Sequence, residues 1–316
     1  MGKREWVWLT MKYRYLILIA FCVGLPGFCE ACACGCGIFD VGTSALLPQR
    51  SGTSLFLRYA YLDQTENWSG TSAAPDSDNA DRHIRTLYAT AGLQHLFNRR
   101  WGLRLELPYD RRHFATFEDG GGGLRRVDRG QVGDIRISGV YTGFSDDMSS
   151  GVLFGVKLAN GDYRAPGFDR DTQLGSGSVD MLLGAYRQMH LGGQDSRWSG
   201  FERVQLQVPF STSGGYRPGS EVNAALGAYP LAWRNDAGIA LTPTLQALFS
   251  YRRSDGGRAG DAENTGYFRI LASPGMELGY RRWRLALDVE VPLYQNVRGN
   301  QLVAPWQANL TISVHI

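Results

Sequence analysis

Trp283-Arg-Leu-Ala-Leu-Asp-Val-Glu-Val-Pro-Leu293 decides the reading of this chain. Its odd positions, Trp283, Leu285, Leu287, Val289, Val291 and Leu293, are apolar; its even positions, Arg284, Ala286, Asp288, Glu290 and Pro292, are charged or small. Successive side chains of a strand point to opposite faces, so this stretch is a strand with one apolar and one polar face. It matches the about 9–11 tilted residues that carry a β-strand across a bilayer. The pattern occurs earlier too, where Trp101, Leu103, Leu105, Leu107 and Tyr109 oppose Gly102, Arg104, Glu106 and Pro108.

Twelve strand-like segments follow one another from Thr53 to the end: 53–64, 83–96, 101–113, 131–144, 151–159, 178–190, 197–209, 220–232, 238–251, 266–279, 283–293 and 306–316. Val204, Leu206 and Val208 oppose Arg203, Gln205 and Gln207; Leu310, Ile312, Val314 and Ile316 oppose Asn309, Thr311, Ser313 and His315. The connections sort by length. Long ones (65–82, 114–130, 160–177, 210–219, 252–265, 294–305) alternate with short ones (97–100, 145–150, 191–196, 233–237, 280–282). Short periplasmic turns alternating with longer external loops is the outer-membrane pattern, and an even strand number leaves both ends in the periplasm. Closing the first strand on the last removes the sheet edges. Pro108, Pro209 and Pro292 fall toward the outer ends of outward-running strands, where pairing is expected to end. Aromatics near segment ends, among them Trp101, Tyr109, Tyr141, Phe144, Trp283 and Trp306, fit interfacial girdles. Such barrels usually end on an aromatic residue; Ile316 takes that place here.

Bulk properties agree. Mean hydropathy is −0.24, as expected when half of every strand faces a polar interior. The net charge of +3 is spread along the chain and leaves no nucleic-acid footprint. Residues 1–31 read as a signal peptide: Lys3, Arg4, Lys12 and Arg14 precede an apolar run from Tyr15 to Phe28, too short to span a membrane, with cleavage expected after Ala31. Residues 32–52 form a Cys- and Gly-rich lead-in, and 53–316 the barrel.

Three stretches resemble the meta-pathway phenol-degradation family of outer-membrane proteins, a transporter family. They are Gly133-Asp-Ile-Arg-Ile-Ser-Gly139, Lys157-Leu-Ala-Asn-Gly-Asp-Tyr163 and Leu174-Gly-Ser-Gly-Ser-Val-Asp180. The second carries Ala159-Asn160 where that family has Pro-Thr. The resemblance covers roughly residues 85–295. It implies an outer-membrane barrel passing hydrophobic or aromatic compounds.

If the Leu and Val rows face lipid, Arg58, Arg104, Glu106, Asp134, Arg136, Lys157, Asp180, Arg203, Asp288 and Glu290 point into the lumen. They form either an internal charge network or a selectivity filter. Cys32, Cys34 and Cys36 could pair in an oxidising periplasm, hold Cu or Zn, carry a lipid, or meet a periplasmic partner. No other cofactor is indicated. No Gly-x-Ser-x-Gly elbow appears and the five histidines are scattered, so no enzyme is expected.

The sequence therefore predicts an all-β, twelve-stranded antiparallel transmembrane β-barrel of the bacterial outer membrane, behind a signal peptide. Its expected role is passive uptake of small solutes, hydrophobic or aromatic ones among them. The alternative is a non-transporting scaffold or surface-binding barrel. Its expected partners are outer-membrane lipid, lipopolysaccharide and a small-molecule solute, with no nucleic acid.

Overall fold

The computed structural model describes residues 44–118, 123–192, 198–230 and 232–316. The signal peptide expected over 1–31 and the thiols of Cys32, Cys34 and Cys36 lie outside them. Twelve strands make the wall: β1 (Gly52–Gln64), β2 (Asp81–Leu96), β3 (Trp101–Phe117), β4 (Arg136–Tyr141), β5 (Ser150–Lys157), β6 (Ser178–Leu191), β7 (Trp198–Thr212), β8 (Glu221–Tyr229), β9 (Ile239–Arg252), β10 (Tyr267–Tyr280), β11 (Trp283–Val303) and β12 (Gln307–His315). Each pairs antiparallel with the next. β12 returns to β1, with Leu55 opposite Val314 and Tyr59 opposite Leu310, and the sheet closes. Closure satisfies the backbone polar groups inside the wall, which is how a sheet can cross hydrocarbon.

The two faces are inverted relative to a soluble barrel. Leu287 is 51% exposed, while Asp288 and Glu290 beside it are 7% and 0% exposed. Leu103, Leu105 and Leu107 are exposed between buried Arg104 and Glu106. Apolar residues outside and charges inside is the arrangement lipid demands. Aromatic pairs ring both ends of the apolar band. Trp101 lies 4.7 Å from Tyr141, and Tyr141 lies 5.1 Å from Phe144, at the end with the short turns. Tyr61 lies 5.7 Å from Trp306 at the other end, and Phe268 lies 6.0 Å from Tyr294. This wall places the chain in the outer membrane.

Two expectations need correction. The first concerns the long connections, which are not all irregular. Residues Leu124–Val132 form a strand that pairs with the outward continuation of β3, Tyr109 opposite Val132 and Phe117 opposite Leu124. The segment 294–305, expected as a loop, lies mostly within β11, and only three residues separate β11 from β12. Within β11 the partner changes. Tyr267 of β10 faces Val297, whereas Asn300 to Val303 pair with Ser69 to Glu66. That last pairing continues the register of β12 on β1, in which Leu62 faces Gln307. Gly299, at φ 65°, sits at this change, where a residue with a Cβ would be strained.

The second correction concerns the prolines. They mark irregularities in the ladder rather than its end. Register shifts at Pro209/Ser211 and at Ile270/Leu271, opposite Pro292, and β7 and β11 continue beyond both. At Pro108 the partner of β3 switches from β4 to the 124–132 strand. A residue without an N–H is tolerated at such bulges as well as at strand ends.

Candidate functional site

The lumen is filled from both ends by segments that are not wall. At the outer end β4 and β5 are the shortest wall strands, six and eight residues. The chain after β5 leaves the wall at Leu158, whose N–H donates to the Ile135 carbonyl, and runs inward through 159–177.

The stretches that carry the family resemblance converge on this segment. Asp134, in the break between Val132 and β4, accepts the Gly161 N–H at 2.8 Å and the Ser176 N–H at 2.9 Å. Lys157 Nζ stands 3.4 Å from Asp134 and 2.8 Å from Asp180. Asp180, 0% exposed, also accepts from Ser178 Oγ and from Gln207 Nε2, each at 2.6 Å. Asn160 receives the Ile135 N–H at 2.9 Å and donates to the Gly133 carbonyl at 3.2 Å. Gly175 has no room for a side chain here, and a Cβ on Gly161 would be tight, 3.0 Å from the Gly175 Cα. A Cβ on Gly175 would lie 2.4 Å from the Gly161 carbonyl. Three short motifs, far apart in sequence, are one latch that holds the inward segment on the wall.

Farther out, Phe168 of the same segment stacks on Phe114 of β3, centroids 5.7 Å apart, among Ile84, Ala165 and Leu302. Arg112 of β3 fixes the segment's backbone through the Thr172 carbonyl while bonding Thr86 Oγ1 at 2.9 Å and Tyr88 OH at 3.0 Å.

At the inner end a single 3-10 turn, Ser44–Leu46, leads into Leu47 and Pro48. Leu47 is buried with Tyr186, Phe201, Ala225, Tyr229, Leu248 and Leu271, all on the inward row of their strands. Phe201 stacks on Tyr229 at 5.6 Å. Gln188 Nε2 reaches the Pro48 carbonyl at 3.4 Å, and Arg284 bonds Gln49. The inner plug is apolar where the outer one is polar.

Beside the inward segment lies a polar chamber of about 220 Å³, partly open to solvent and lined by Arg58, Glu106, Asp110, Arg112, Asp134, Arg136, Lys157, Arg170 and Gln207 among others. At about 30 Å³ per water, that is room for some seven waters or one small solute. Below it, toward the inner plug, Arg104 Nη2 pairs with Glu106 Oε1 at 2.8 Å. The other side of Arg104 covers the Phe56 ring, 4.9 Å from its centroid. Phe56 in turn lies over Gly92, where any side chain would collide with the ring. Arg203 on β7 faces the same region, where it feels the charges of Arg104, Glu106 and Arg58.

The ten residues read from the sequence as lumen candidates thus fall into three groups. Arg58, Glu106, Asp134, Arg136 and Lys157 line the chamber. Arg104, Arg203 and Asp180 sit beneath or behind it, buried. Asp288 and Glu290 form a separate ladder on β11 and do not line it. Asn309 Nδ2 bonds Asp288 at 2.9 Å and Glu290 at 2.6 Å; Ser273 Oγ donates to Asp288 at 3.1 Å, and Gln307 bonds Glu290. Asp110 and Arg112 were missed, although the alternation of Arg104 and Glu106 carried outward along β3 reaches both. Arg170 and Leu47, on segments without periodicity, gave no signal. The histidines are less scattered than the sequence suggests. His83 Nε2 lies 2.5 Å from Asp63, and its ring is 5.5 Å from that of His113, on the outward face of β1 to β3.

No protein-family model matches this chain, and no curated relative does. Among solved structures, it is similar to the β domain of the Bordetella autotransporter Brka, at 11% identity over 84% of this chain and 100% of that one, with a TM-score of 0.49. It is also similar to an outer membrane channel from Pseudomonas putida F1, at 14% identity over 88% of this chain and 100% of that one, with a TM-score of 0.63. That likeness shows the fold, an outer-membrane β-barrel of the kind found in channels.

Proposed function

We propose that this chain is an outer-membrane channel for small solutes, hydrophobic or aromatic ones among them, and that its resting form is narrowed at both ends by segments that are not wall. One observation carries the reading: the lumen holds a polar chamber with room for a small solute, and the two segments that pack into the lumen, 159–177 and the one carrying Leu47, are not part of the wall. A barrel meant only as a scaffold could fill its lumen with wall side chains. Here two separate segments fill it, and segments can move. The likeness to an outer membrane channel supports the reading at the level of fold. The resemblance to the phenol-degradation family is the ground for the aromatic solute class. Membrane lipid and lipopolysaccharide are its surroundings in this reading, and Cys32, Cys34 and Cys36 are left as a contact for a periplasmic partner or a Cu or Zn ion.

The test is flux of phenol, and separately ion conductance, through purified protein in liposomes, before and after deletion of residues 44–50 combined with Asp134→Ala, which frees the outer segment from the wall. Low flux that rises in the doubly opened form is expected. The same background flux in both forms would sink the channel and leave the scaffold reading. In the conducting form, Glu106→Gln should shift ion selectivity more than Asp288→Asn, because Glu106 lines the chamber and Asp288 does not.

A further inference from the structure

We propose that Arg203, with Arg104 and Arg58 beside it, binds the carboxylate of a small organic acid whose apolar body takes the place of Leu47 against Tyr186, Phe201 and Tyr229. This rests on the channel reading and narrows its solute.

Arg203 is 5% exposed. Its neighbours in β7, Glu202 and Val204, are exposed on the outer face, so its side chain points into the lumen. Its Nε and Nη1 have no hydrogen-bond partner among the described residues. Its Nη2 has only Gln205 Oε1, at 3.4 Å, longer than a normal bond. Among the described residues no carboxylate forms an ion pair with it. Glu106, the acid whose charge it feels, is held by Arg104 at 2.8 Å, and the charges of Arg104 and Arg58 repel it.

A buried guanidinium in this state is costly, and the cost falls away when an anion arrives. The latch shows the contrast within the same lumen, since Lys157 has two carboxylates and two hydroxyls around it. Arg203 is therefore a buried cation whose surroundings, among the described residues, lack a negative partner.

The site also says what the anion carries. Tyr186 lies directly opposite Arg203 in register, and on the inner side the lumen becomes apolar at once, with Phe201 stacked on Tyr229. On the outer side Gln205, Arg58 and Glu106 open into the chamber, which gives access. A bare inorganic ion would use only the charged half of this boundary. A carboxylate on an aromatic or short apolar body uses both. A neutral aromatic would leave the guanidinium unsatisfied.

Benzoate is the probe, titrated calorimetrically into full-length protein in detergent micelles, with acetate and benzyl alcohol as the charge-only and body-only arms. Benzoate should bind about tenfold or more tighter than either arm. Arg203→Gln should weaken benzoate about tenfold or more, to the level of benzyl alcohol, and leave benzyl alcohol unchanged. Glu106→Gln removes the competing anion and should tighten benzoate. A heat-modifiable gel shift reports folding of each variant. If Arg203→Gln does not fold, the sign of the Glu106→Gln effect still decides. Benzoate bound no better than benzyl alcohol, or unmoved by both substitutions, overturns the site. Acetate binding as tightly as benzoate overturns its apolar half. Phenol flux through the unplugged protein without benzoate binding removes this site and keeps the channel; benzoate binding without flux does the reverse.

Discussion

At the outer mouth, residues 158–177 are tied to the wall by Asp134, Lys157 and Asp180, each with several partners at defined distances. At the inner mouth, Leu47 rests on an apolar cluster, helped by a hydrogen bond of 3.4 Å from Gln188. Both segments pack into the lumen, but they are held there by different physics. A charged latch is directional and all-or-none: while every partner is present each buried charge is compensated, and when one is lost the rest become liabilities. An apolar plug is non-directional, and its hold scales with area removed from water. It can loosen by degrees. The outer closure therefore suits a gate that opens on a specific event, and the inner one suits a stopper displaced by whatever fills the lumen.

The largest effect is expected where the latch is cut. Asp134→Ala leaves the Gly161 and Ser176 N–H groups without their acceptor and takes one of two carboxylates from Lys157. Breaking a buried pair on one side typically costs about 3–5 kcal/mol. The urea midpoint of the heat-modifiable gel shift should fall, and trypsin should cut at Arg164 or Arg170, inside the released segment. An unchanged midpoint together with continued resistance at those arginines would mean that the latch is decoration.

A smaller and more local effect is expected at the other end. Leu47→Ala removes the plug's anchor from its cluster, a truncation worth about 2–5 kcal/mol in a core. Here the lower end of that range applies, because the loss is felt by the docked segment and the wall keeps its own pairing. Trypsin should cut faster after Arg50, while the unfolding midpoint of the barrel stays put. If the midpoint falls as far as it does for Asp134→Ala, plug and wall are one cooperative unit and the contrast between the two closures fails.

The sequence made the wall legible and the plugs illegible, for a physical reason. Lipid on one side and polar lumen on the other impose a period of two on every strand, so Trp283 to Leu293 and Trp101 to Tyr109 announce their own faces. The same rule carries outward to Asp110 and Arg112 and reads them correctly when applied over the whole length of β3. A plug has no such rule. Leu47 is one leucine in an aperiodic segment, and its burial depends on six residues from five strands. The latch lay between these cases. Gly133-Asp134, Lys157 to Tyr163 and Leu174 to Asp180 stood out as motifs, but glycines and serines in sequence do not say that they meet. Their meeting comes from the shortness of β4 and β5, which sends the chain inward. The prolines were placed correctly along the strands and assigned the wrong consequence, because a bulge and a strand end both dispense with an N–H.

The smallest effect separates the buried part of the latch from its exposed part. Arg129 on the 124–132 strand pairs with Asp162 of the inward segment at 2.7 Å, with 36% and 45% of the two side chains exposed. By geometry this is as good a contact as Lys157 with Asp180, at 2.8 Å. By environment it is much weaker. Water screens an exposed pair, and such pairs are worth about 0–1 kcal/mol. The Asp162 backbone carbonyl is bonded independently by Gln131, so that anchor survives. Arg129→Ala should therefore lower the unfolding midpoint slightly at low ionic strength. The difference should vanish near 1 M salt, where the screening length is about 3 Å. The Asp134→Ala loss should persist in the same salt, because its charges are shielded by protein rather than by ions. If the two variants lose stability equally, or lose it with the same salt dependence, then burial is not what gives the latch its strength, and the outer mouth is held by surface charge that any change in ionic strength could release.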